Sequence, residues 1–117
     1  MSIETFLEKL AKTSEHFGVK WEINGYFGLR LFGSSGHYYC PITAVYLMCY
    51  EEFYAVDQWD LAGKLLGLSE LSTTAILDAA DSIKTYDENT KEWVNTQLMI
   101  NETLQRKMLK AVGIGKD

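Results

Sequence analysis

Residues 33–54 read GSSGHYYCPITAVYLMCYEEFY, and the fold depends on how this stretch is parsed. A Gly/Ser turn, Gly33 to Gly36, runs into the longest apolar run of the chain, and Pro41 stands where the first turn of a helix tolerates a missing N–H. A helix from about Pro41 to Val56 puts Ile42, Val45, Tyr46, Leu47, Cys49, Tyr50, Phe53, Tyr54 and Val56 on an arc wider than half its circumference. Glu51, Glu52, Ala44, Ala55 and Met48 take the remainder. An ordinary surface helix carries an apolar stripe of about 100°. The wider arc predicts a central helix packed on two sides, with Cys49 in the core.

Working back towards the N-terminus, Val19 to Phe32 has a period of two. Trp21 and Ile23 alternate with polar residues, Asn24-Gly25 is a dipeptide that accepts positive φ in a tight turn, and Phe27, Leu29 and Leu31 alternate after it. This is a β-hairpin, and two strands alone are marginal in water, so it needs helices or a further strand against one face. Gly28 marks a bulge or a close contact. Residues 2–17 form one amphipathic helix on Ile3, Phe6, Leu7 and Leu10, capped by Ser2 and closed by Gly18. His16 lies in its last turn, where an imidazolium opposes the negative helix end.

Working forward, Asp57 caps a short helix to Leu66, closed by Gly67 with Leu68 folding back. Ser69 caps a further helix to about Lys84, with Ser72, Ala75, Ile76, Ala79, Ala80 and Ile83 on its buried side. Tyr86 to Asn89 reads as a polar turn, and Asn89-Thr90-Lys91-Glu92 as the start of a helical region at 90–112. Its stripe is Trp93, Ile100, Leu104, Met108 and Ala111, it is either one helix or two broken at Asn101, and Gly113-Ile114 closes it. The predicted fold is mainly α (α+β): a single globular domain over 1–117, in which about four to six helices surround the central helix beside one small hairpin at about 19–32.

Composition narrows the function. The chain of 117 residues is 47% hydrophobic and 13% aromatic, enough to bury a core without staples. A net charge of −5 repels nucleic acid and anionic membrane rather than recruiting them. The apolar runs fall short of the roughly 18 residues of a membrane span, and MSIETFLEKL lacks the features of a leader, so a cytoplasmic location is expected. The two cysteines, Cys40 and Cys49, would lie about 13 Å apart on opposite sides of one helix. A disulfide needs Cα atoms within about 7 Å, so they neither pair nor share a metal ion, which suits a reducing compartment.

Cys40 is the one candidate nucleophile. It falls at the N-terminus of the central helix, where free N–H groups favour a thiolate, and His37 is close enough in sequence to fold back as its base. No orienting third residue or oxyanion hole accompanies the pair, and the plainer reading is a small residue leading into a helix. No cofactor or metal site is expected: C-x-x-C and H-E-x-x-H pairings are missing, and GSSGH lacks the lysine of a phosphate-binding loop. Leu61 to Ser69, running on to Ile76, resembles a helix-turn-helix, which would place DNA binding in residues 58–80, but the second helix presents Glu70, Asp78 and Asp81 and no cation before Lys84, which argues against DNA readout. Tyr38, Tyr39, Tyr46, Tyr50 and Tyr54 surround the central helix. They either line the core or, if exposed, form a surface for a protein partner.

Cys40-Pro41-Ile42-Thr43-Ala44-Val45, Leu66-Gly67-Leu68-Ser69, Ala79-Ala80-Asp81 and a basic last helix ending near Val112-Gly113-Ile114 together resemble a group of small uncharacterised bacterial and phage-associated proteins. Residues 85–100 look like an addition to that pattern. The resemblance implies a phage or mobile-element accessory protein and brings no active site with it. The expectation is therefore a non-enzymatic protein-binding module, an inhibitor or adaptor, whose partner is another protein. A thiol enzyme using Cys40 is the alternative and a DNA-binding protein the weaker one; a homodimer through an unpaired sheet edge is compatible with any of them.

Overall fold

The computed structural model describes residues 1–24, 28–32, 38–50, 58–83, 85–87, 92–94 and 102–114. The chain is mainly α with a small β region. Helices α1 (Ile3–Leu10) and α2 (Thr13–Phe17) lead into strands β1 (Trp21–Asn24), β2 (Gly28–Phe32) and β3 (Tyr38–Tyr39). Helices α3 (Pro41–Tyr50), α4 (Trp59–Leu65) and α5 (Glu70–Asp81) follow, then strands β4 (Thr85–Asp87) and β5 (Glu92–Val94), and helix α6 (Glu102–Ala111).

Helix α3 is the centre. Pro41 through Leu47 are all buried, and the helix packs against α1, α2, α4, α5, β2 and β3. Two assignments along it are corrected. Ala44, placed on the outer face by the sequence, is fully buried, while Cys49, placed in the core, is exposed. A helical projection has no axial coordinate, and here burial changes along the axis: past Leu47 the helix leaves the core, with Met48 half-buried and Tyr50 exposed. The predicted continuation to Val56 lies outside the described residues.

The hairpin forms, and β3 supplies its third strand, giving an antiparallel sheet of order β1-β2-β3. Its register differs from the one implied by an Asn24-Gly25 turn. Trp21 pairs with Leu31, Ile23 with Leu29 and Asn24 with Gly28, so Asn24 belongs to the strand. Side chains opposite one another share a face, so this register gathers Trp21, Ile23, Leu29 and Leu31 on one side. A two-residue turn at Asn24-Gly25 would have set Leu29 and Leu31 opposite Lys20 and Gly18, away from Trp21 and Ile23. Core burial thus overrides the local turn preference. Gly25 and Phe27 lie outside the described residues.

The single helix expected over 2–17 is two segments. Lys12 N–H closes onto the Lys9 carbonyl at 3.0 Å, a tight turn in place of the α-helical spacing. Beyond it the fully buried Thr13 hydroxyl donates to the Leu10 carbonyl at 2.6 Å and accepts the Trp21 indole N–H at 2.8 Å. The end signals hold: Ser2 Oγ accepts from Thr5 N–H at 3.1 Å, and Gly18 closes α2 in the left-handed region at φ 67°.

At the start of α4 the capping position is Gln58, whose side chain makes no capping bond, and Asp57 lies outside the described residues. The helix ends as read, with Leu68 N–H reaching back to the Gly63 carbonyl at 2.9 Å and Leu68 buried. Ser69 caps α5 by accepting from Ser72 N–H at 3.1 Å. The buried side of α5 carries Ile76, Ala79 and Ala80 as predicted, but Thr73 is buried where Ser72 was expected and Ser72 is half-exposed. Thr73 stands against Gly63 of α4, where an added Cβ would lie 2.5 Å from its hydroxyl oxygen.

The predicted turn at 86–89 and helix from 90 are corrected. Thr85–Asp87 and Glu92–Val94 form a second antiparallel ribbon, with Tyr86 opposite Trp93 and Thr85 opposite Val94. Thr, Tyr, Trp and Val all favour extended backbone, and this preference prevails over the capping signal at Asn89, itself outside the described residues. Helix α6 begins at Glu102, buries Leu104, Gln105, Met108 and Leu109, and closes through Gly113 at φ 80° with Ile114 N–H on the Leu109 carbonyl. Gln105 donates from Nε2 to the Ala79 carbonyl at 3.0 Å, so α6 is fastened to α5 through a buried amide.

Gly28 fixes how closely the sheet approaches α5. Its φ is 91°, and a Cβ there would lie 2.2 Å from the Ala80 carbonyl oxygen. Next to it, Arg30 pairs with Asp81 at 2.7 Å. We expect Gly28→Ala to lower the unfolding free energy in urea titrations by about 2–4 kcal/mol, through strain and overlap together. Gly18→Ala, at φ 67° with nothing within 4 Å, tests strain alone and should cost only about 1 kcal/mol. Equal losses at the two positions would show that contact with α5 does not limit Gly28.

Candidate functional site

The thiol is accounted for by helix geometry. Cys40 occupies the N-cap of α3: its carbonyl accepts Ala44 N–H at 3.0 Å, and its half-buried Sγ accepts Thr43 N–H at 3.4 Å. The same sulfur lies 3.3 Å from Thr43 Oγ1, to which the thiol can donate. The first N–H groups of a helix have no partner within it, and those of a helix buried from its first residue are kept from water. Cys40 therefore does what Ser or Thr ordinarily does at this position. His37, the proposed base, lies outside the described residues. Among the described residues no group of three His, Cys, Asp or Glu side chains is placed to hold a metal ion.

The tyrosines divide. Tyr39 and Tyr46 are core residues, Tyr38 and Tyr50 are exposed, and Tyr54 lies outside the described residues. Strand alternation separates the first pair: Tyr39 sits opposite buried Leu31 and Tyr38 opposite exposed Phe32. The second pair separates along α3, where the Tyr46 and Tyr50 rings lie 5.3 Å apart but only Tyr46 is inside the core. Tyr38 precedes α3 and Tyr50 ends it, so the length of the helix, about 15 Å, keeps them in two separate patches.

At the N-terminal end of α3, Phe32 and Tyr38 are 39% and 42% exposed, with ring centroids 4.9 Å apart. Both stand on paired strands, so their backbone is already ordered, and an aromatic ring has only two side-chain torsions to lose on contact. At the other end, Tyr50, 49% exposed, donates its hydroxyl to the Leu65 carbonyl at 3.0 Å. Phe32, and the exposed Trp59, Leu65 and Leu71, were missed by the sequence reading. For Phe32 the signal was present: it falls out of phase with Leu29 and Leu31, on the side of β2 opposite the core residues.

Helix α5, the recognition helix of the helix-turn-helix alternative, exposes Glu70, Leu71 and Thr74 and has no basic residue in its last turn. No helix among the described residues is long and apolar enough to cross a membrane. Comparison with known protein families, curated proteins and solved structures finds no match for this chain.

If Cys40 is a cap, Cys40→Ala should cost about 1 kcal/mol, lowering Tm by about 4 °C, whereas Cys40→Ser should stay within about 0.5 kcal/mol of the parent. Equal losses for the two variants in thermal unfolding would show that packing of the sulfur, not its hydrogen bond, is what matters.

Proposed function

We propose that this protein is a non-enzymatic, protein-binding accessory module of the cytoplasm, an inhibitor or adaptor, that contacts its partner through the Phe32–Tyr38 pair. The observation carrying this reading is that pair: large apolar rings, in mutual contact and exposed, where the end of β2 meets β3. Aromatic side chains fixed in this way combine a large contact area with a small ordering cost, and they dominate binding energy where interfaces have been dissected. Tyr38 adds a hydroxyl at the rim of the patch. The phage or mobile-element origin rests on the resemblance carried by Cys40 to Val45 and Leu66 to Ser69. The capping bonds of Cys40 support the binding reading over the thiol-enzyme alternative.

The test is site-specific photocrosslinking in the host cytoplasm. A photoreactive phenylalanine analogue at position 38 should trap one discrete partner. The same analogue at exposed Lys12 should not, and Phe32→Ser should reduce the crosslink about tenfold or more. Identical products from positions 38 and 12, or no product from either, would overturn this reading.

A further inference from the structure

Among the described residues strand β1 lies at the edge of its sheet, with β2 as its one paired neighbour. An edge strand presents a row of unpaired backbone N–H and C=O groups that another strand can extend. We propose that the occupant of this edge is the segment 19–23 of a second copy, the start of β1 with the two residues before it, paired antiparallel about a two-fold axis at Trp21, so that the two sheets become one.

The charge pattern around β1 argues for this partner and sets the register. The segment Val19-Lys20-Trp21-Glu22-Ile23 places a cation and an anion symmetrically about Trp21. Lys20 and Glu22 are exposed, and among the described residues neither is ion-paired. Val19 and Ile23 are partly buried against the core. Antiparallel pairing about Trp21 puts Lys20 of each copy opposite Glu22 of the other, and Val19 opposite Ile23. Opposite charges and apolar pairs across an antiparallel ladder stabilise it, and like charges directly opposite destabilise it. Moving the axis to residue 20 sets Lys20 against Lys20, and moving it to residue 22 sets Glu22 against Glu22. Of the registers that keep both cores on one side, the one at Trp21 is the one this charge pattern favours. Identical surfaces meeting across a two-fold axis also close, so pairing stops at two copies.

The test is a charge-reversal cycle on the full chain, read by sedimentation equilibrium between about 1 and about 300 μM. The parent should dimerise within that range. Lys20→Glu alone and Glu22→Lys alone should each weaken the dimer about tenfold or more, because every charged pair across the axis becomes repulsive. An equimolar mixture of the two variants should restore it as a heterodimer, since all pairs are then opposite in sign. Restoration on mixing also shows that both variants fold. A parent that stays monomeric to the top of the range overturns the proposal, as does a dimer unaffected by either reversal or a mixture no tighter than its components.

Discussion

Everything else in the structure follows from the enclosure of α3. A helix whose first residues, Pro41 to Leu47, have no solvent-facing side must be surrounded, and the chain supplies α1 and α2 from before it, α4 and α5 from after it, and the sheet alongside. Enclosure creates a local problem, because the opening N–H groups of such a helix are hidden from water as well as from one another. Proline removes one donor at Pro41, and the Cys40 sulfur takes another from Thr43. Cys40, which looked chemical in the sequence, is thus one of the residues that allow a helix to begin in a core.

Helix α5 is the second organiser, and it works by close approach. Small residues on its buried side, Ala79 and Ala80, let the backbone of β2 come up at Gly28, while Gly63 of α4 accommodates Thr73. The Ala79 carbonyl near its C-terminal end accepts from the Gln105 amide, and Asp81 accepts from Arg30. Sheet, α4 and α6 are therefore referred to one helix by contacts that admit little variation in distance. In the Arg30–Asp81 pair the Arg30 side chain is largely buried, and its bond to Asp81 ties β2 to the end of α5.

Punctuation was the most legible part of the sequence. Ser2 and Ser69 cap, and Gly18, Gly67 and Gly113 close helices in the left-handed region, because these outcomes depend on the residue and its immediate neighbours. What could not be read depends on distant parts of the chain. The strand formed by Tyr38 and Tyr39 is too short to carry a period and exists only because β2 offers an edge. The hairpin register needed knowledge of which side faces α3. Trp93 fits a helical stripe as well as a strand, and the choice was made by pairing with residues 85–87. The candidate surface was half legible: the tyrosines were marked, but separating Tyr38 from Tyr39 required the strand, and separating Tyr50 from Tyr46 required the point where α3 leaves the core.

The contact of α1 with α6 has a consequence for how the chain is made. Most other contacts join elements that are close in sequence, so they can form as soon as both partners have been synthesised. Helix α1 rests on α3 and α6, with Glu4 reaching Lys107 at 3.3 Å across the intervening sequence. On the ribosome, Phe6, Leu7 and Leu10 emerge long before α6 exists to cover its share of them. Helix α1, made well before α6, is therefore completed only when α6 arrives, and until then its apolar face is open for a chaperone to meet.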